Sequence, residues 1–342
     1  MNQFKALLLC ATAAGALLAQ TAHAGWMFRE APIMGTRCAV ELWSEDEQKG
    51  GAAIEAVFTE LRRIDARMST YKPESELSRV NATAAAGPVK ISRELYDLLA
   101  TSIEYSRLTR GTFDITYASV GYLYDYRKHV HPSDAAIAAA LPGIDYRHLK
   151  LDPKALTVYF ERPGVRVDLG GIGKGYAVDR GIAVLKKLGI THAMVNAGGD
   201  TRIVGDRFGK PWITGIRHPD DENKIVLKIP IVDAALSTSG DYERYFDEGG
   251  VRYHHILNPK TGRSPHLVRS VTIIGPTATR TDALTKSVFV MGAKEGIEFI
   301  NGLADVDAVA VAPDGKVYYS KGLAPPQELK DVARPSVPDR QK

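Results

Sequence analysis

Apolar residues recur along this chain at two spacings, and the switches between them mark out its elements. Arg37 to Trp43 alternates as a half-buried strand does, and Gly51 to Met68 then carries Ile54, Val57, Phe58, Leu61 and Ile64 at helical spacing. Ser69 to Pro73 breaks that helix, and the polar run Glu74 to Asn81 reads as a loop or short turn. Ser92 caps a second helix, with Leu95, Leu98, Leu99, Ile103 and Tyr105 facing inward up to Arg110-Gly111. Thr112 to Gly143, rich in tyrosine, follows neither period and reads as irregular. Strands are predicted at Leu149 to Leu151, Thr157 to Phe160, Val165 to Leu169, His192 to Val195, Trp212 to Arg217 and Lys224 to Ile229. Others are predicted at Ala234 to Thr238, His254 to Leu257 and Ser270 to Ile274. A helix runs through Ala177, Val178, Ile182, Leu185 and Leu188 to Gly189, another spans Arg280 to Met291, and a hairpin around Pro313-Asp314-Gly315 joins Ala308–Ala312 to Lys316–Tyr319. This mixture without repeats predicts an α+β domain.

One stretch joins strand to helix through glycines: Val165-Arg166-Val167-Asp168-Leu169-Gly170-Gly171-Ile172-Gly173-Lys174-Gly175. Glycines there let backbone approach a ligand, and a helix N-terminus offers free N–H groups to an anion, with phosphate the natural guest. Neither the P-loop nor the dinucleotide glycine spacing is met, so the stretch alone leaves a tight structural turn and an anion site equally open.

Met1 to Ala24 changes the picture at the front: Lys5, an apolar run from Ala6 to Ala19, and Ala22-His23-Ala24 read as a cleaved secretory leader rather than a membrane span. Cys10 follows Leu9, not a small residue, which argues against lipid attachment there, and the expected location is the periplasm. Cys38 is then the one remaining cysteine, so no internal disulfide is available and the core must supply stability. The formal charge of +4, about +3 without Lys5, is spread among both signs, with no Lys/Arg stripe to suit nucleic acid. Pro325 to Lys342, with four prolines among charged residues, reads as a disordered tail, leaving residues 25–324 as the folded domain.

Eight segments in order carry a resemblance. They are Met34-Gly35-Thr36, Ser75 to Asn81, Gly111-Thr112-Phe113-Asp114, Val167 to Gly175, Asn196-Ala197-Gly198-Gly199-Asp200, Ser237 to Arg244, His254 to Gly262, and Thr281-Asp282-Ala283-Leu284. Together they resemble the ApbE family of FAD:protein FMN transferases. The resemblance implies a single bilobed α+β catalytic domain of T-fold-like architecture, with mixed sheets and packed helices. It also implies an Mg²⁺-dependent exported enzyme that cuts FAD, attaches FMN to a Thr or Ser hydroxyl of a target protein and releases AMP. The implied targets are flavin-carrying subunits or domains of membrane redox systems.

The same resemblance implies roles for particular residues. The metal is expected between the Gly173 carbonyl and Asp282, hard oxygen donors that suit Mg²⁺. Where the family places a metal-binding Thr or Ser, this chain has Lys286. Its ammonium cannot be a ligand while charged. It is therefore expected on the pyrophosphate, with Thr285 taking the ligand role, or loss of activity, as the other outcomes. Of His254 and His255, alternation along a strand lets only one face the site; His255 is preferred as proton acceptor and His254 stays open. Met34, Tyr71 and Asp114 match positions around the flavin nucleotide. Lys174 and Gly171 belong to the glycine turn, Asn196, Gly198 and Asp200 to a strand-end turn lining the site, and Ser239 to a run of hydroxyl donors. A metal-dependent FAD pyrophosphatase and a non-catalytic flavin-binding protein are the competing readings.

Overall fold

The computed structural model describes residues 24–219 and 221–323, so the expected leader up to His23 and the expected tail lie outside the described residues. Strands β1 (Gly25–Ile33) and β2 (Thr36–Ser44) form a hairpin whose two-residue turn, Met34-Gly35, holds φ of 56° and 68°. Helix α1 (Glu47–Met68) follows, capped by the Asp46 carboxylate on the Gln48 and Lys49 amides. Next come α2 (Glu76–Thr83), β3 (Val89–Lys90), α3 (Arg93–Leu108), the short α4 (Ala118–Gly121) and α5 (Asp134–Ala140), then β4 (Leu149–Asp152) and β5 (Thr157–Phe160). The central run is α6 (Gly173–Lys187), β6 (Ala193–Ala197), β7 (Asp200–Val204), β8 (Trp212–His218), β9 (Asp221–Ile231) and β10 (Ala235–Gly240). The chain continues through β11 (Tyr245–Glu248), β12 (Val251–His254), β13 (Ser270–Gly275), α7 (Ala278–Met291), α8 (Ala293–Asn301), β14 (Asp307–Val311) and β15 (Val317–Tyr319).

Eight of these strands form one antiparallel sheet in the order β1-β2-β6-β7-β10-β13-β14-β15. Alternation sorts their side chains to two faces. Ala308 and Ala310 of β14 join Val271 and Ile273 of β13 under α7 and α8, whereas Val309 turns the other way, to Trp212, Ile229 and Ile231 of the β8–β9 ribbon. Helices α1 and α6 cover β2 and β6 with Ile54, Val57, Leu61, Val178, Ile182 and Leu185. Two buried clusters therefore share the helical side, one under α1 and α6 and one under α7 and α8. Among the described residues no helix is long and apolar enough to cross a membrane.

Thr112 to Gly143, expected to be irregular, holds α4 and the Ser133-capped α5, and three other expectations fail for identifiable reasons. Glu76–Thr83 is a helix, not a loop: Ser75 caps it on Ser78, and Leu77 and Val80 supply just enough apolar face to bury it. Val165 to Leu169 buries Val165, Val167 and Leu169 in alternation but joins no ladder, because its backbone bonds go elsewhere. The Asn81 amide clasps Val167 through both its N–H and its carbonyl at 2.8 Å, Ser119 Oγ accepts from Arg166, and Ile115 O accepts from Asp168. The strand expected at His254 to Leu257 instead ends at His254, so alternation does not govern His255.

Candidate active site

The glycine turn is set by Asp168. Its Oδ1 accepts from the Gly170 amide at 2.6 Å and the Tyr117 hydroxyl at 3.1 Å, and its Oδ2 accepts from Thr70 at 2.7 Å. Helix α6 starts there with no side-chain cap of its own, and its first turn lies against the first turn of α7. Each helix supplies the other's missing acceptor. Asp179 of α6 accepts from the Ala278 and Thr279 amides at 2.9 and 2.8 Å, and Asp282 of α7 accepts from the Gly175 amide at 3.0 Å. Only glycine fits at position 175, since a Cβ there would lie 2.2 Å from the Ala278 carbonyl oxygen.

Four charges meet at this junction. Lys174 Nζ sits 2.5 Å from Asp200 Oδ2 and 4.0 Å from Asp282 Oδ2, while the Lys286 ammonium is paired with Asp282 Oδ1. Both carboxylates are buried. Burial alone would pull the Lys174 ammonium down, but Asp200 and Asp282 outweigh it and raise its pKa. Burial pushes Asp282 up, yet Lys174 and Lys286 prevail and hold it below the usual carboxylate range. Asp200 is raised, by burial first and then by the Asp282 charge. Its Oδ1 has no hydrogen-bond partner among the described residues.

A row of hydroxyls continues the cluster between β10 and α7. Ser237 bonds Thr281 at 2.8 Å and Ser239 bonds Thr285 at 2.9 Å, and the Thr285 hydroxyl donates to the Asp282 carbonyl at 2.7 Å. Two residues of strand and one turn of helix advance by nearly the same length, so both pairs align.

The two histidines part company. His254 is fully buried, bonded through Nε2 to the Pro265 carbonyl at 2.8 Å and set edge-on to Phe289 at 5.4 Å, and burial pushes its pKa down to about 4. It packs the core. His255 is the one beside the cluster: burial, then the cations Arg244, Lys286 and Lys174, push it down to about 3. In both rings Nδ1 has no partner among the described residues.

Other expected site residues sort by what they already hold. Tyr71 is 83% exposed. Met34 packs partly buried against the main core beside the hairpin turn. Gly171 lies against the Lys286 stem, where a Cβ would meet Cγ at 3.6 Å. Asn196 ties the β6–β7 turn through its amide to the Gly198 and Asp200 carbonyls, and Gly198 takes the φ of +61° that turn needs. Asp114 is a buried cap whose two oxygens accept from Thr116 and the Tyr146 amide. Gly173 opens α6, so helix geometry turns its carbonyl into the helix's own ladder.

The divalent ion implied by the resemblance does not fit this arrangement. Asp282 Oδ1 carries an ammonium, Oδ2 carries an amide, and among the described residues no three His, Cys, Asp or Glu side chains gather to hold a metal. Asp168, Asp179 and Arg244 carry no individual role in the sequence patterns, and the structure places all three around the site. Arg244 is exposed, makes no ion pair with a described residue, and reaches the Met34-Gly35 turn, 3.5 Å from where a Gly35 Cβ would stand.

Two ammoniums that buried carboxylates hold beside a glycine turn, with Arg244 exposed nearby, suit an anionic, phosphate-bearing ligand in this α+β protein. The ApbE family model matches residues 34–310, and the chain belongs to that family. It is 32% identical to the FAD:protein FMN transferase of Treponema pallidum over 310 residues, 85% of this chain and 86% of the relative. It is 34% identical to the FAD:protein FMN transferase of Haemophilus influenzae, covering 73% and 75% of the two chains. Among solved structures, the ApbE protein of Thermotoga maritima superposes with a TM-score of 0.81 at 32% identity, covering 87% of this chain and 98% of that one. The flavin transferase ApbE of Vibrio cholerae gives 0.78 at 30% identity, with the same coverage.

Proposed function

We infer that this protein is an FAD:protein FMN transferase. Family membership supports the activity, and the buried array of Lys174, Asp200, Asp282 and Lys286 at the α6–α7 junction is the observation that carries it to these residues. In the reaction, a Thr or Ser oxygen of the acceptor bonds to the FMN-side phosphorus, the bridging P–O bond breaks, and AMP leaves with the electron pair. Lys174 and Arg244 bring positive charge to the pyrophosphate, and the α6 N-terminus adds its dipole. His255 takes the hydroxyl proton. Burial is the largest cause of its low pKa of about 3, and the cations Arg244, Lys286 and Lys174 add to it. FAD phosphates offset the cations' share alone, which raises the histidine part of the way.

The acceptor is read as a flavin-carrying domain of a membrane redox system, and the periplasm as the site of action, on the strength of the apolar leader sequence before Gly25. The test is incubation of the purified protein with FAD and such a domain. Flavin fluorescence on the denatured acceptor band is expected. Free FMN and AMP with an unlabelled acceptor would make it a pyrophosphatase instead, and intact FAD would leave only binding. Cell fractionation checks the location.

A further inference from the structure

We propose that the ammonium of Lys286 takes the place of a divalent cation in this protein, so that it transfers FMN without a metal. The proposal rests on the transferase reading. Lys286 lies one helical turn after Asp282 on α7, and its ammonium occupies Oδ1, the oxygen a metal would need; Gly175 and Lys174 hold Oδ2 from the other helix. A magnesium ion binds oxygen at about 2.0–2.1 Å and demands near-octahedral surroundings, so it would have to expel this ammonium. It would also stand beside Lys174, already drawn in by two carboxylates.

The lysine is built into its place. Its stem lies along Gly171 of the glycine turn, and its side chain is 16% exposed. An ammonium has three hydrogens, so Lys286 keeps one on Asp282 and offers the others to pyrophosphate oxygens. During transfer the acceptor oxygen forms its bond to the FMN phosphorus and the bridging oxygen leaves with AMP, carrying the bond's electron pair. The hydroxyl proton goes to His255 and then to solvent. Lys286 offsets the charge growing on the departing phosphate, as a metal would, and no redox partner is required.

The test compares wild type with Lys286→Thr, Lys286→Met and Lys286→Arg, each stripped with EDTA and checked by circular dichroism. Two measurements are made: initial FMN transfer with and without Mg²⁺, and Mn²⁺ binding by electron paramagnetic resonance in the absence of FAD. Wild type and Lys286→Arg are expected to transfer in EDTA, with rates that Mg²⁺ changes less than about twofold, and to bind no stoichiometric Mn²⁺. Lys286→Thr is expected to lose at least about a hundredfold in EDTA, recover with Mg²⁺ and bind one Mn²⁺. Lys286→Met should be slow in both. A wild-type rate that collapses in EDTA and returns with Mg²⁺, or one Mn²⁺ bound by wild type, overturns the proposal. If no condition labels the acceptor, the transferase reading fails while Mn²⁺ binding still decides the role of Lys286.

Discussion

Strands β10 and β13 lie side by side and show the same helix opposite chemistry. On β13, Val271 and Ile273 pack under Leu284 and Val288 of α7; directly across the ladder on β10, Ser239 and Ser237 bond Thr285 and Thr281 of the same helix. Apolar pairs would suit that position on both strands, since the sheet face is buried throughout. The hydroxyl side therefore answers to what stands next to it, the buried carboxylates and ammoniums, which need polar neighbours whose positions are fixed. One stripe of α7 holds the helix down and the other holds the charges.

Breaking the polar side at its centre has the largest expected effect. Asp282→Ala strands the Lys286 ammonium and leaves Lys174 with Asp200 alone, so a loss of about 3–5 kcal/mol in denaturant unfolding is expected, together with loss of FMN transfer. Val271→Ala on the apolar side should cost ~2 kcal/mol yet keep transfer within a few-fold, because it removes packing and no charge. If both variants lose activity alike, the two stripes are not separable. Gly175→Ala drives a methyl into the Ala278 carbonyl, and a backbone cannot yield cheaply. About 1–3 kcal/mol is expected, with transfer falling further than stability. Ser239→Ala removes one hydroxyl partner of Thr285, for about 1 kcal/mol by the same measurement.

A further effect is one of pH. The unfolded chain binds protons at His254 and His255 near the ordinary value of 6.5, whereas the folded values are about 4 and about 3. Their contributions to stability are therefore full above pH 6.5 and fall away as the pH drops through about 4 and about 3. Replacing either with Asn should flatten unfolding midpoint against pH in that window. Saturating FAD should shrink the His255 share alone, since only that ring faces the cations the phosphates would offset; equal changes in both would put His254 in the site as well.

Alternation and helical spacing made most strands and the long helices legible, because burial on one face imposes a period. Helix α2 escaped because its buried side is two residues, and Val165 to Leu169 misled because a buried extended segment looks alike whether its partner is a strand or the Asn81 amide. In the site, the Asp282–Lys286 pair could be read from its four-residue spacing. The Lys174–Asp200 pair and the Asp179 clasp could not: their partners are 26 and 99 residues apart, and only the fold brings them together. Asp114 kept its place in the motif, but burial turned its carboxylate inward onto Thr116 and Tyr146.

The mutual clasp of α6 and α7 also has a meaning in time. The Gly175–Asp282 bond closes a loop of 107 residues, and four of the sheet's eight strands lie within it. Closing so long a loop costs entropy that local contacts do not repay, so such contacts form late. By then β6, β7, β10 and β13 must already stand in register, for α7 docks on β10 and β13 and α6 on β6 and β7. The anion cradle is consequently among the last features to appear as the chain folds. A half-folded molecule has no grip on a nucleotide, and possession of the site is itself the signal that assembly is complete.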